Sequence, residues 1–215
     1  MPSVIAPCIT VETAEEFQAA VQRIQPFAQR VHIDVSDGEF APTFLLSVGQ
    51  MMWPQNWQVD IHAMVARPEE HLPQLIAKKP SLIVFHAEVK GDRIAMLNQI
   101  KQAGIRAGVA LLKTTVPSTV ADVIKAADHV MIFSGDLGHY GGQASLMQLE
   151  KVRLVKAINP EVEIGWDGGV NLENAYTLTQ GGVNVLNTGG AIAEAQDPNA
   201  TYQALVKEIN KHGVI

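Results

Sequence analysis

Leu82-Ile83-Val84-Phe85-His86-Ala87-Glu88 opens on four large apolar residues in succession and closes on two polar ones, two apart. A run this apolar is buried on both faces, as a strand is in a parallel sheet covered by helices. Working outward, seven further short runs rich in apolar and β-branched residues recur: Val4–Ile9, Val31–Val35, Gln58–Val65, Arg106–Leu112, His129–Ser134, Val162–Asp167 and Val183–Asn187. Segments with helical spacing lie between them, the clearest at Ala14–Ile24, Pro68–Lys78, Arg93–Ala103, Leu146–Ile158 and Thr201–His212. In the first, Thr13 and Glu16 have the spacing of a capping box, and Phe17, Ala20, Val21 and Ile24 share one face. Eight strand–helix units predict an α/β fold, a single closed (β/α)8 TIM barrel with eight parallel strands. An open doubly wound sheet is the rival, but it usually has fewer strands and a Gly-rich first loop, and Ile9–Glu15 contains no glycine.

The 215 residues, 47% of them hydrophobic, suffice for one sizeable core, so one domain over 1–215 is expected. Sixteen Lys plus Arg against 22 Asp plus Glu give a net charge of -6, which argues against general binding to nucleic acid or a membrane surface. No apolar run approaches the roughly 18 to 20 residues of a membrane span, and Met1–Thr10 lacks the pattern of an export signal. A soluble, cytoplasmic protein is the expectation. Cys8 is the only cysteine, which excludes an intrachain disulfide and leaves any metal to His and carboxylate ligands.

In such a barrel the active site lies at the C-terminal ends of the strands. Period-2 geometry turns His32 and Asp34 to one face while Val31, Ile33 and Val35 face the helices. Asp60 and His62 repeat the arrangement, His86 and Glu88 end the fourth run, and Asp167-Gly168-Gly169 ends the seventh. The barrel mouth is therefore expected to collect His32, Asp34, Asp60, His62, His86, Glu88 and Asp167. Any one of these alone reads as a hydrogen-bonded core residue. Together they would be costly to bury without a cation, and imidazole with carboxylate suits a divalent Zn, Fe, Mn or Co ion. Gly141-Gly142, Gly168-Gly169 and Gly189-Gly190 follow the last three strands, where backbone N–H groups can cradle a phosphate. His71, His129 and His212 read as exposed or capping residues, and Met51, Met52, Met96, Met131 and Met147 as core filler.

The chain resembles the ribulose-phosphate 3-epimerase family from Ile5-Ala6-Pro7 to Ala191-Ile192. The resemblance is carried most specifically by His32-Ile33-Asp34-Val35-Ser36-Asp37-Gly38-Glu39-Phe40-Ala41-Pro42 and by Asp167-Gly168-Gly169-Val170-Asn171, and also by Asp60-x-His62-x-Met64-Val65, His86-Ala87-Glu88, Gly141-Gly142-Gln143 and Gly189-x-Ala191-Ile192. It implies a barrel of the ribulose-phosphate-binding type and one divalent ion on His32, Asp34, His62 and Asp167. It also implies Asp34 and Asp167 as acid and base on opposite substrate faces, and a homo-oligomer, dimer or hexamer. Cys8, Met64, His86 and His139 join the three Gly-Gly pairs as expected substrate-binding residues. The implied reaction is inversion at C3 of a phosphorylated ketose, D-ribulose 5-phosphate by default, through an enediolate.

The chain also departs from the family. Cys8 stands where the family has Ser, Ser36 and Ser134 where it has Met, Thr43 where it has Asn, and Gly138-His139-Tyr140 precedes the Gly-Gly where it has Pro-Gly-Phe. A more polar wall around the substrate is the expectation. That leaves open a related ketose phosphate such as allulose 6-phosphate, or a non-catalytic sugar-phosphate-binding descendant. A barrel decarboxylase is disfavoured, because it needs an Asp-x-Lys pair where this chain has Asp60-Ile61-His62.

Overall fold

Thr13 caps the first helix as its spacing predicts: its hydroxyl accepts from the Glu16 backbone, and the Glu16 carboxylate accepts from the Thr13 backbone. That helix, α1 (Ala14–Ile24), buries Phe17, Val21 and Ile24 against the sheet. The computed structural model describes residues 3–139 and 142–211. Eight parallel strands close in chain order into a barrel: β1 (Val4–Ile9), β2 (Arg30–Ser36), β3 (Gln58–Met64), β4 (Leu82–His86), β5 (Arg106–Leu111), β6 (His129–Phe133), β7 (Glu163–Asp167) and β8 (Val185–Thr188). The helices are α1, α2 (Pro68–Ala77), α3 (Arg93–Gln102), α4 (Ala121–Ala126), α5 (Leu149–Ile158), α6 (Ala175–Gln180), α7 (Gly190–Ala193) and α8 (Pro198–Ile209). β1 pairs with β8 as well as β2, so no edge is left open. No helix among the described residues is long and apolar enough to cross a membrane.

The main boundary differences have local causes. Glu88 lies past the end of β4, and β8 begins two residues later than the apolar pattern suggests. Leu146–Gln148 forms a 3-10 turn ahead of α5. α8 starts at Pro198, because the Asp197 side chain accepts from the Ala200 N–H and Pro suits the first helical position. His212 falls outside the described residues. Met51, Met96 and Met131 are core, but Met52 and Met147 are 74% and 85% exposed and fill nothing.

Two expectations about buried polar groups are corrected at the lower end of the barrel. Asp60 does not reach the mouth; it accepts from Arg30 Nε at 2.6 Å. His129 is neither exposed nor a cap, being 1% exposed with Nδ1 2.8 Å from Glu163 Oε2. Arg30 also grips Glu163 through two bonds of 3.0 and 2.9 Å, and Arg106 reaches the same carboxylate at 3.0 Å. Gly165 makes room for this group, since a side chain there would run into His129 Nε2. Burial opposes the charge of Glu163, but His129 and Arg30 outweigh it and hold the carboxyl well below the ordinary range.

Glu163→Ala should cost about 3–5 kcal/mol at neutral pH, because it strands Arg30 without its main partner. A depressed carboxylate stabilises the fold above its unfolded pKa of about 4.3 and loses that contribution as pH falls further. The gap between parent and variant should therefore narrow in acid. Urea unfolding at pH 7 and pH 3 measures it, and a gap that stays constant would remove the ionic network from the explanation.

Candidate active site

β2 and β3 lie in register, with Asp34 beside His62 and His32 beside Asp60. Val31, Ile33 and Val35 join the apolar layer between barrel and helices, which leaves His32 and Asp34 to the interior. Asp167 ends β7 on the far side of the mouth. The structure brings His32, Asp34, His62 and Asp167 together, with one ligand atom from each lying within 4.8 Å of the other three.

The distances suit a cation. His62 Nδ1 is 2.9 Å and His32 Nε2 3.3 Å from Asp34 Oδ1, and both nitrogens are 3.6 Å from Asp167 Oδ2. Ligands about 2.1 Å from one ion stand roughly 3 to 4.2 Å apart. His32 Nε2 is buried and makes no well-aligned hydrogen bond, which fits a nitrogen that could ligate a metal ion. Burial opposes a charge on His32, yet Asp167 and Asp34 prevail and raise its pKa to about 10. The field that would hold this proton would equally hold a divalent ion. Burial likewise opposes the charge of Asp34, and the two rings hold its carboxyl far below the usual range.

Behind the cluster His62 Nε2 meets His86 Nε2 at 2.9 Å, and His86 Nδ1 lies 3.4 Å from Glu88 Oε2. Glu88 Oε1 accepts from the Leu112 N–H at 3.0 Å and from the Thr115 hydroxyl. Phe40 stacks on His86 with ring centroids 4.6 Å apart, and Phe133 packs on both imidazoles. Burial, reinforced by His62, pushes the His86 ring down to about 4, so it is neutral at pH 7. With the His86 proton on Nδ1 toward Glu88, its Nε2 accepts from His62 Nε2 and fixes the ring with Nδ1 turned toward Asp34. His86, expected at the mouth, is fully buried, is not among the residues that line the cavity and meets His62 instead.

A cavity of about 260 Å³ opens above the cluster. Asp34, Asp167 and Cys8 line it together with Met64, Phe133 and His139. Burial, then Asp167 and Asp34, push the Cys8 thiol well above its ordinary pKa, so it is not a thiolate. Gly142, Gly168, Gly169, Gly189 and Gly190 line one side; Gly141 lies outside the described residues. Gly168 has φ +105°, and a side chain there would overlap the Gly135 backbone. His139 Nε2 is 3.1 Å from the Thr43 hydroxyl, which ties the loop after β6 to the loop after β2 across the mouth.

The residues 4–193 match the ribulose-phosphate 3 epimerase family. The chain belongs to that family. Membership places it among carbohydrate epimerases of the isomerase class. The chloroplastic ribulose-5-phosphate-3-epimerase of Arabidopsis thaliana is 32% identical over 179 residues, covering 78% of this chain and 63% of the relative. The ribulose-phosphate 3-epimerase of Helicobacter pylori is 30% identical over 188 residues, covering 83% and 85%. Among solved structures, 3-hexulose-6-phosphate synthase from Salmonella typhimurium superposes with a TM-score of 0.70 at 13% identity, over 98% of this chain and 100% of that one. At that identity the likeness concerns the barrel alone.

Where this family member departs from the pattern, the structure corrects one expectation and adds a residue. Ser36 and Ser134 do not make the wall polar: their hydroxyl oxygens accept from the Gly38 and Ser145 N–H groups at 3.3 and 2.8 Å, and neither lines the cavity. The added hydroxyl comes from Thr10, just past β1, where no periodic pattern singles it out. Asp136, Asn171 and Glu194 line the cavity as well, while no Lys or Arg does among the described residues.

Proposed function

We propose that the chain inverts C3 of a phosphorylated ketose, interconverting D-ribulose 5-phosphate and D-xylulose 5-phosphate, with one Zn, Fe, Mn or Co ion on His32, Asp34, His62 and Asp167. The observation that carries this is the meeting of two carboxylates from β2 and β7 over two buried imidazoles at the floor of one cavity. Inverting a carbon beside a ketone needs one group to remove a proton from one face and another to return one to the opposite face. Asp34 and Asp167 are that pair. In one direction the first takes the proton as a carboxylate while the second gives one as a carboxyl, and in the reverse direction the roles exchange. The ion, when bound, supplies positive charge to the oxygens on which negative charge develops.

The phosphate goes to the glycine-lined side. With no Lys or Arg lining the cavity among the described residues, backbone N–H groups at Gly168, Gly169, Gly189 and Gly190 are the main donors we assign to a dianion.

The test is C3 proton exchange in heavy water with D-ribulose 5-phosphate, allulose 6-phosphate and their unphosphorylated ketoses. The expected result is fastest exchange with D-ribulose 5-phosphate and a kcat/KM roughly 100-fold or more above that for D-ribulose. Exchange with no ketose would end the epimerase reading. A preference for the free sugar would end the phosphate assignment alone.

A further inference from the structure

Thr10 is half-buried in the cavity wall, one residue beyond the end of β1. Its hydroxyl donates to Asp34 Oδ2 at 2.5 Å. The other oxygen of the same carboxylate, Oδ1, faces His62 Nδ1 and His32 Nε2 at 2.9 and 3.3 Å. The two oxygens therefore have different surroundings: one faces the imidazoles and the other faces Thr10, which lines the cavity with Asp34. The strand does not enforce this division, because the terminal torsion of an Asp side chain is broad and roughly two-fold. The imidazoles hold Oδ1, and Thr10 holds Oδ2.

We infer that Thr10 is a positioning residue for proton transfer, holding Asp34 Oδ2 in the cavity as the oxygen that takes and returns the C3 proton while Oδ1 stays with the imidazoles. The inference rests on the reading of Asp34 as a proton carrier. A hydroxyl suits the task because it donates to a carboxylate and can turn to accept from a carboxyl, so it follows Oδ2 through the whole transfer. In one direction Oδ2 takes the C3 proton while Asp167 gives one to the opposite face, in the reverse direction Oδ2 gives the proton up, and nothing is consumed. A carboxylate free to swing would present either oxygen, or neither, at the reacting distance, and misplacement of a reacting group lowers the rate rather than the affinity.

The variants are Thr10→Val, which keeps the shape and loses the hydroxyl, and Thr10→Ser, which keeps the hydroxyl. Metal-loaded protein is assayed with both C3 epimers of the ketose phosphate, each carrying protium or deuterium at C3. Thr10→Val should lower kcat by about 10- to 100-fold with little change in KM, and Thr10→Ser should recover most of the loss. Because Thr10 serves Asp34, transfer at that face becomes limiting. The isotope effect should rise for the epimer whose C3 hydrogen faces Asp34 and fall for the other. Metal content should match the parent in both variants, since Oδ1 is left in place. If Thr10→Val does not fold, Thr10→Ala takes its place with the same readouts.

Parental kcat in Thr10→Val, equal losses in the Val and Ser variants, or a loss with both isotope effects unmoved would overturn the inference and leave the proposed function standing. A parent that inverts no ketose phosphate would overturn both.

Discussion

Asp34→Asn and Asp167→Asn should each lower C3 inversion by about 10³-fold or more, the upper range of what positioned acid–base groups supply. Asn preserves the shape of the carboxylate but cannot accept a proton from carbon at neutral pH. Because inversion needs both faces, either substitution stops it. Exchange should survive on one side only. Asp34→Asn should still exchange the C3 proton of the epimer that presents it to Asp167, and Asp167→Asn that of the other. Asp34 also stands among the expected metal ligands, so the ion content of each variant has to be measured beside the rate. A variant that keeps its ion, exchanges one epimer and inverts neither has lost a proton carrier and nothing else. Near-parental inversion by both variants would place the bases elsewhere. Proton NMR in heavy water, started from each epimer in turn, gives inversion and exchange in one experiment.

The barrel and most of this site were legible in the sequence for one physical reason: strand side chains alternate with period two, so an apolar run with embedded polar residues says which of them face inward. That reasoning placed His32, Asp34, His62 and Asp167 among seven residues at the mouth, and the choice of those four rested on the family resemblance. Where it failed, it failed in height rather than in face. Asp60 and His62 share a face, but two residues of strand separate them by about 6.6 Å along the barrel. Asp60 therefore falls to the level of Arg30 and His62 rises to the mouth. His129 was misread for a related reason, because the first residue of a strand looks exposed until Glu163 and Arg30 are placed around it. His86 faces inward as its position implies, yet Phe40, Phe133 and His62 cover it, and no one-dimensional pattern reports what covers a residue.

Loop residues gave the weakest signal. Ser36 and Ser134 differ from the family pattern and looked like changes to the substrate wall, but both hydroxyls are taken up by backbone N–H groups of their own loops. Thr10 looked like nothing, because it follows a strand and precedes a helix cap. Its role depends on a contact across 24 residues, between the end of β1 and the interior of β2. α4, α6 and α7 went unnamed among the helices because six, six and four residues are too few to display a 3.6-residue period.

Removing both imidazoles should empty the metal site. In the parent, metal-reconstituted protein should hold about one ion per chain. His32→Ala/His62→Ala leaves only two carboxylates, and its ion content should fall well below one while inversion falls by about 10³-fold or more. Loss of buried side chains also costs stability, so rate alone would not separate a missing ligand from a damaged fold. Linkage separates them. An ion at about 100 times its dissociation constant stabilises the state that binds it by about 2.7 kcal/mol, which the parent should show as a rise in Tm on adding metal. The double variant should be less stable from the start and should not respond. Protons give a second, independent reading. Asp167 and Asp34, against the cost of burial, raise the metal-free His32 ring to about 10, so it carries a proton at pH 7 that a cation on Nε2 must displace. Metal loading of the parent at pH 7 should release about one proton per ion, and loading should weaken as pH falls. The single variant His32→Ala has no such proton to lose, so any binding it retains should proceed without that release. Calorimetric titration in buffers of different ionisation enthalpy measures the count. Ion content and proton release that match the parent in these variants would mean that the cation, if one binds, sits on other residues.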